Sequence, residues 1–287
     1  MALLTAPTIA LAQTSGASAS DSPLQTYFDT WFERVEHTQA EQPHWITPVA
    51  TTTPRLEEEF RYDQFFEKLG NGGTLHNFDG GKGLELIPSE NVELIFGLPP
   101  YIERSQPSKP TSTSGFNDLP FLLIKYRLLS ANEQSGNYII TAFLQGSAPT
   151  GIEALSQHTY LITPTLAAGW GYGDFDIQST VGVSFPTDYS QRTGDIVTWN
   201  TTLQYHLWNV LWPEVEMNNT YWLGGARAGR HQVLITPGVV LGRFPIGWRA
   251  KLIVGAGYQM AISPSTVRTP LTPQFRNNFI LTTRIAF

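Results

Sequence analysis

Two carboxylate pairs are spaced two residues apart, Asp174 with Asp176 and Glu214 with Glu216. On an extended strand this spacing puts both side chains of a pair on one face, where they can bind a cation or do acid–base work. Facing Arg249, Lys251, Arg276 and Arg284, the same residues would instead form a lattice of ion pairs with no chemistry of its own. A hydrolase finds less support. His206 follows Tyr205, but Leu207 and Trp208 come next and no serine stands two positions on; His44 lies in the leader, His76 and His158 in or beside loops, and His231 opens a strand. No nucleophile, base and orienting group come into register, so the chain reads as a non-enzyme. The absence of cysteine removes thiolate–metal and disulfide chemistry. Gly255 and Gly257 read as packing positions or room for a bulge, not a phosphate loop, because no helix follows them. Neither a metal nor a cofactor is expected.

The elements that position these residues are strands. From Arg55 onward side chains alternate in character with a period of two, in runs near 55–63, 83–88, 91–98, 119–130, 137–147, 159–170, 174–185, 195–206, 213–223, 231–243, 247–261 and 275–287. Charged residues make up only 15% of the chain, against roughly 25% in soluble domains. A net charge of −6 offers no basic face for nucleic acid. No apolar run approaches the roughly 18 residues of a membrane helix, so a chain like this spans a bilayer only by closing its backbone hydrogen bonds in a barrel.

Loop lengths agree with a barrel. Long joins such as "PPYIERSQPSKPTSTSGFND" and "SAPTGIEALSQH" alternate with short ones such as "PSE" and "GYG". This is the pattern of an outer-membrane barrel with short periplasmic turns, an even strand count near twelve and both termini in the periplasm. The fold expected is therefore all-β, a transmembrane antiparallel up-and-down β-barrel, preceded by an amphipathic helix. Strand parity then turns Glu57, Glu59, Arg61, Glu85, Glu93, Lys125, Arg127, Asp174, Asp176, His206, Glu214, Glu216, Arg249, Lys251, Arg276 and Arg284 toward the lumen, with Glu58 out of place. Trp170, Trp199, Trp208, Trp212, Trp222, Trp248, Tyr258 and Phe287 fall near strand ends, as two interfacial aromatic girdles require.

The N-terminus divides further. Residues 1–12 end on the A-x-A pattern of a signal-peptidase site but lack a basic start. Residues 13–54 form a leader whose stretch "DSPLQTYFDTWFERVEHTQAEQP" carries Leu24, Tyr27, Phe28, Trp31, Phe32 and Val35 at helical spacing. That helix can dock at the periplasmic mouth, plug the lumen or lie on a membrane surface. Residues 55–287 form the barrel.

The stretches "RLEEEFRYDQ", "KGLELIPSENVELIFGLPPY", "GFNDLPFLLIKYRLLS" and "FLQGSAPTG" resemble the outer-membrane transporter family of the meta-pathway of phenol degradation. Asp118, Lys125, Tyr126, Arg127, Pro149, Thr150 and Gly151 match its motifs, while Asn117 stands where a glycine is common. The resemblance runs from Arg55 to Phe287 and implies uptake of small hydrophobic or aromatic molecules, with no catalytic residues. Phe287 resembles the terminal aromatic read by the barrel-assembly machinery. The expected partners are outer-membrane lipid, that machinery and a small solute. The reading is a bacterial outer-membrane channel, and the competing one a closed structural or adhesin-like barrel.

Overall fold

The structure, a computed structural model, describes residues 22–80, 82–108, 111–188, 192–265 and 275–287; the A-x-A stretch lies outside them. Two short helices come first, α1 (Pro23–Asp29) and α2 (Trp31–Ala40). Ser22 caps α1 by accepting the Gln25 N–H at 3.2 Å. The single helix expected here breaks at Thr30, whose hydroxyl bonds back to the Thr26 carbonyl at 2.9 Å in place of a straight continuation.

Strands follow in the order β1 (Glu59–Leu69), β2 (Thr74–Phe78), β3 (Gly83–Ser89), β4 (Val92–Phe96), β5 (Tyr101–Ser105), β6 (Thr113–Phe116), β7 (Leu119–Ala131), β8 (Tyr138–Ala148), β9 (Leu161–Tyr172), β10 (Phe175–Pro186), β11 (Ile196–Tyr205), β12 (Leu211–Trp222), β13 (His231–Gly247), β14 (Ala250–Ser263) and β15 (Phe275–Ala286). Twelve of them close into one antiparallel cylinder, because β15 returns to pair with β1 from Glu59 opposite Ala286 onward. The 10 to 12 residues of β9, β10, β11 and β12 suffice for tilted strands to cross a bilayer, which takes about 9–11. No described helix is long and apolar enough to cross one.

Alternation sorts the wall. On β9 and β10, Leu166, Trp170, Ile177 and Val181 point outward and exposed, while Asp176, Gln178 and Thr180 are buried inside. The inverted polarity, apolar out and polar in, is that of a membrane barrel.

One quarter of the wall departs from the expected loops. The join read between the first two strands instead holds the end of β1 and all of β2, and the next long join holds the hairpin of β5 and β6. Each long strand there is interrupted once, between Phe78 and Gly83, between Phe96 and Tyr101, and between Phe116 and Leu119. Gly83 takes a left-handed φ of 83°, a second break carries Gly97, Pro99 and Pro100, and the third carries Asn117 and Asp118. Asp118 ties the third break to the next loop by accepting the N–H groups of Gly151 and Gln157, at 3.1 and 2.7 Å.

The first strand begins at Glu59 rather than Arg55, which accounts for Glu58. It precedes the strand and accepts the Trp31 indole N–H at 2.7 Å and the Ile87 N–H at 2.6 Å, clamping helix to wall. The helices dock at the short-turn end of the barrel, where Val35 packs with Leu56 and Ile87. Arg127 reaches the Thr38 carbonyl at 2.9 Å, a cation at the closing turn of α2.

Candidate functional site: the plugged lumen

Between α2 and β1 the chain enters the barrel as an extended segment, residues 41–58, most of it buried. It has no strand neighbour. Inside a wall it must nonetheless find partners for its N–H and C=O groups, since burying them unpaired is costly. Lumen side chains supply both.

Carboxylates take the donors. Glu214 accepts the Val49 N–H at 2.9 Å, and the two oxygens of Glu216 accept those of Ala50 and Thr51, each at 2.6 Å. Glu93 accepts the Glu57 N–H at 2.7 Å. Cations and amides take the acceptors. Arg284 forks onto the Thr47 and Pro48 carbonyls at 2.5 and 2.7 Å, and Arg61 reaches Val49 at 2.6 Å. Arg243 holds His44 and Trp45 at 2.9 and 2.7 Å, Gln178 holds Ile46 at 3.1 Å, and Lys125 holds Arg55 at 3.0 Å. Gln42 serves Leu56 as a strand would, accepting its N–H at 3.0 Å and donating to its carbonyl at 2.8 Å.

Packing supplements this polar grip. Ile46 and Val49 join Trp212, Val240, Ile253 and Ile280 in an apolar cluster within the lumen. The Trp45 indole fits only because Gly169 has no side chain: a β-carbon there would lie 2.4 Å from the ring. Gly257 is likewise a close-approach position, bordered by Thr236 and Val49.

The expected lumen residues thus separate into groups. Arg61, Glu93, Lys125, Glu214, Glu216 and Arg284 converge on the plug backbone, with Lys125 2.9 Å from Glu93 and 3.9 Å from Glu85. Glu57 pairs with Arg55 at 2.8 Å, Glu59 is buried with Oε1 lacking a hydrogen bond, and Asp176 accepts from Gln178 at 3.0 Å. Arg127 holds the helix. His206 lies flat on Trp212, with ring centres 4.4 Å apart. Lys251 lines a cavity of about 450 Å³ at the short-turn mouth, beside Arg249 and Phe287.

Several expectations need correction. Asp174 is exposed in the turn before β10, so it shares no face with Asp176; the turn at Gly173, φ 58°, interrupts the parity. The ion-pair lattice does not form either: Arg249 pairs with Glu36 of α2 at 2.7 Å, and Arg276 is exposed near the far end of β15. Trp212 and Trp222 are not interfacial. Both occupy the inward parity of β12 and are 2% and 3% exposed. Trp170, Trp199 and Tyr258 do face outward, while Trp208 and Trp248 project from turns at φ 52° and 49°.

Sequence reasoning missed Arg243, Gln178, Lys82, Asp63 and Arg55 as site residues. Gln178 and Asp63 share the inward parity of neighbours that were identified, so alternation alone would have found them. Arg243 was out of reach, because a bulge between Gly242 and Phe244 with φ 61° turns it inward off-parity. Among the described residues no group of three or more His, Cys, Asp or Glu could hold a metal ion.

Among solved structures, the COG4313 outer membrane channel from Pseudomonas putida F1 is similar at TM-score 0.50 and 13% identity, over 84% of this chain and 98% of that one. OmpF of Salmonella typhi, solved with daunomycin, gives TM-score 0.39 at 8% identity over 80% and 96%. The outer membrane protein OpdK from Pseudomonas aeruginosa gives 0.33 at 9% over 80% and 96%. At these identities the likeness concerns the fold, and it is the P. putida channel that carries it. No curated protein matches the sequence. A family model does, across residues 72–239, more than half of the chain and most of the wall around the plug, and with it this outer-membrane β-barrel belongs to the family described as "Putative MetA-pathway of phenol degradation".

Proposed function

We propose that this protein is a channel for small molecules, hydrophobic or aromatic in class, in which residues 44–57 occlude the lumen and must shift for a solute to pass. The observation that carries this reading is the plug's mode of attachment: its backbone is held by side-chain hydrogen bonds inside a polar lumen. Water can replace such bonds one for one, so displacement exchanges these partners, and the apolar area it exposes is confined to the cluster around Ile46 and Val49. A twelve-stranded cylinder is too narrow for a general porin, and a movable segment adjusts its bore. The family's description, which names a pathway of phenol degradation, favours an aromatic solute, and the P. putida relative is itself described as a channel. On this reading both termini are periplasmic and Phe287 is the residue offered to the assembly machinery. The alternative is a closed barrel whose loops bind partners.

The chain has no cysteine, so a reversible lock is clean. Thr51 and Asn218 touch at 3.3 Å between plug and β12. In Thr51→Cys/Asn218→Cys, a disulfide or short bis-thiol cross-link should abolish solute flux into liposomes, and reduction should restore it. Removing residues 13–50 should raise flux. No flux with the segment present, released or deleted would establish the closed barrel instead.

A further inference from the structure

A second cavity, about 230 Å³, lies where the tip of the plug, Ala50 and Thr52, meets the interrupted quarter of the wall. One side of it is apolar, from Phe65, Ile95, Leu122 and Leu123, and the rest is polar, with two cations, Arg61 and Lys82, beside Asp63 and Gln145. Neither is fully used. Arg61 is only 3% exposed; its Nε donates to Asp63 at 3.0 and 2.8 Å and its Nη2 to the plug, yet its buried Nη1 has no hydrogen-bond partner. Lys82 Nζ is buried too and makes no hydrogen bond; it is ion-paired with Glu85 at 3.8 Å, beyond hydrogen-bonding reach, and neither Glu85 oxygen has a hydrogen-bond partner. Asp63, the one lining carboxylate, already receives the Arg61 Nε–H. The cavity thus sets an apolar side against two donors that lack hydrogen bonds, and buried donors left unpaired call for an acceptor.

We infer that this cavity binds a small organic carboxylate with an apolar body, an aromatic monocarboxylate in the first instance, its carboxylate placed between Arg61 Nη1 and Lys82 Nζ and its ring against Phe65 and Leu123. The size is right: an apolar cavity of about 150 Å³ already holds benzene, and the remaining volume admits a carboxylate. Charge-assisted bonds from two cations discriminate against a neutral isostere, which leaves both donors unpaired. Because the cavity abuts the plug tip and Arg61 holds the Val49 carbonyl through Nη2, an occupant bonded to Nη1 shares the guanidinium that restrains the plug without displacing that bond. That the carboxylate is a transported solute rests on the channel reading; that it binds here does not.

The test is calorimetric titration of the full-length protein in detergent with benzoate and with benzyl alcohol, on wild type, Lys82→Met and Leu123→Trp. Wild type should bind one benzoate at least about tenfold more tightly than benzyl alcohol. Lys82→Met should collapse that ratio toward one, and Leu123→Trp should abolish binding of both by filling the cavity. Should Lys82→Met not fold, the wild-type ratio and Leu123→Trp decide the matter. Equal affinity for the two ligands in wild type overturns the proposal, as does a benzoate preference that survives both substitutions. Flux of a membrane-impermeant aromatic anion, benzenesulfonate, into liposomes, measured alongside on wild type and on the variant lacking residues 13–50, keeps the readings apart: selective binding with no flux in either protein retains the site and removes the channel.

Discussion

Along β12 the lumen offers the plug acceptors, Glu214 and Glu216 on the N–H groups of Val49, Ala50 and Thr51; along β1 and β15 it offers donors, Arg61 and Arg284 on the carbonyls of Thr47, Pro48 and Val49. An extended chain turns the N–H and C=O of one residue to one side and those of the next to the other, and within a sheet neighbouring strands answer both. Here two charged walls of opposite sign answer them. The two grips are unequal, however. An orphaned buried N–H is rarely tolerated, whereas a carbonyl with two lone pairs is more easily satisfied by water.

Breaking the acceptor side should therefore have the largest effect. In Glu214→Ala/Glu216→Ala three buried N–H groups lose their acceptors at about 1–3 kcal/mol each, so the closed plug should lose at least about 3 kcal/mol, or over a hundredfold in its closed-to-open ratio. Single-channel conductance should show a predominantly open state. Arg284→Ala should loosen the plug less, by about 1–3 kcal/mol, because its two carbonyls can recruit water. Equal or reversed conductance changes in the two variants would remove the asymmetry.

The smallest effect lies outside the membrane-spanning wall, where Glu133 of the β7–β8 turn accepts the His44 N–H at 2.6 Å and contacts its ring at 2.8 Å. Burial works to raise the Glu133 carboxyl, but the bonds from His44 hold it below the usual carboxylate range. Its contribution is fully present above the ordinary carboxylate value of about 4 and is lost as pH falls through the lowered one. Both groups are partly exposed, so the effect is weak. Hydrogen exchange at residues 44–46 should accelerate only in strong acid, and Glu133→Gln should remove that dependence.

Most of the wall was legible. Strands such as β7, β8 and β11 lie within a residue or two of where alternation places them, because the period of two is a local property of extended backbone and the two environments, lipid and lumen, are opposite in polarity. Legibility failed where the backbone leaves that period. Residues 74–78 and 101–105 read as loop because the Gly and Pro around them signal turns, yet they pair with strands on either side. Asp174 failed at a turn, and Trp212 and Trp222 failed because large aromatics near strand ends look interfacial until parity is applied strictly to β12.

By itself the sequence determined a closed antiparallel barrel, apolar outside and charged within, since both follow from side-chain order along each strand. Only the tertiary structure decided what the inward charges hold. Glu214 and Val49 are 165 residues apart, and Arg284 and Thr47 are 237 apart. Those pairings exist only after the cylinder has closed around the threaded segment and side chains take the place of a missing strand, a long-range condition that no local period encodes.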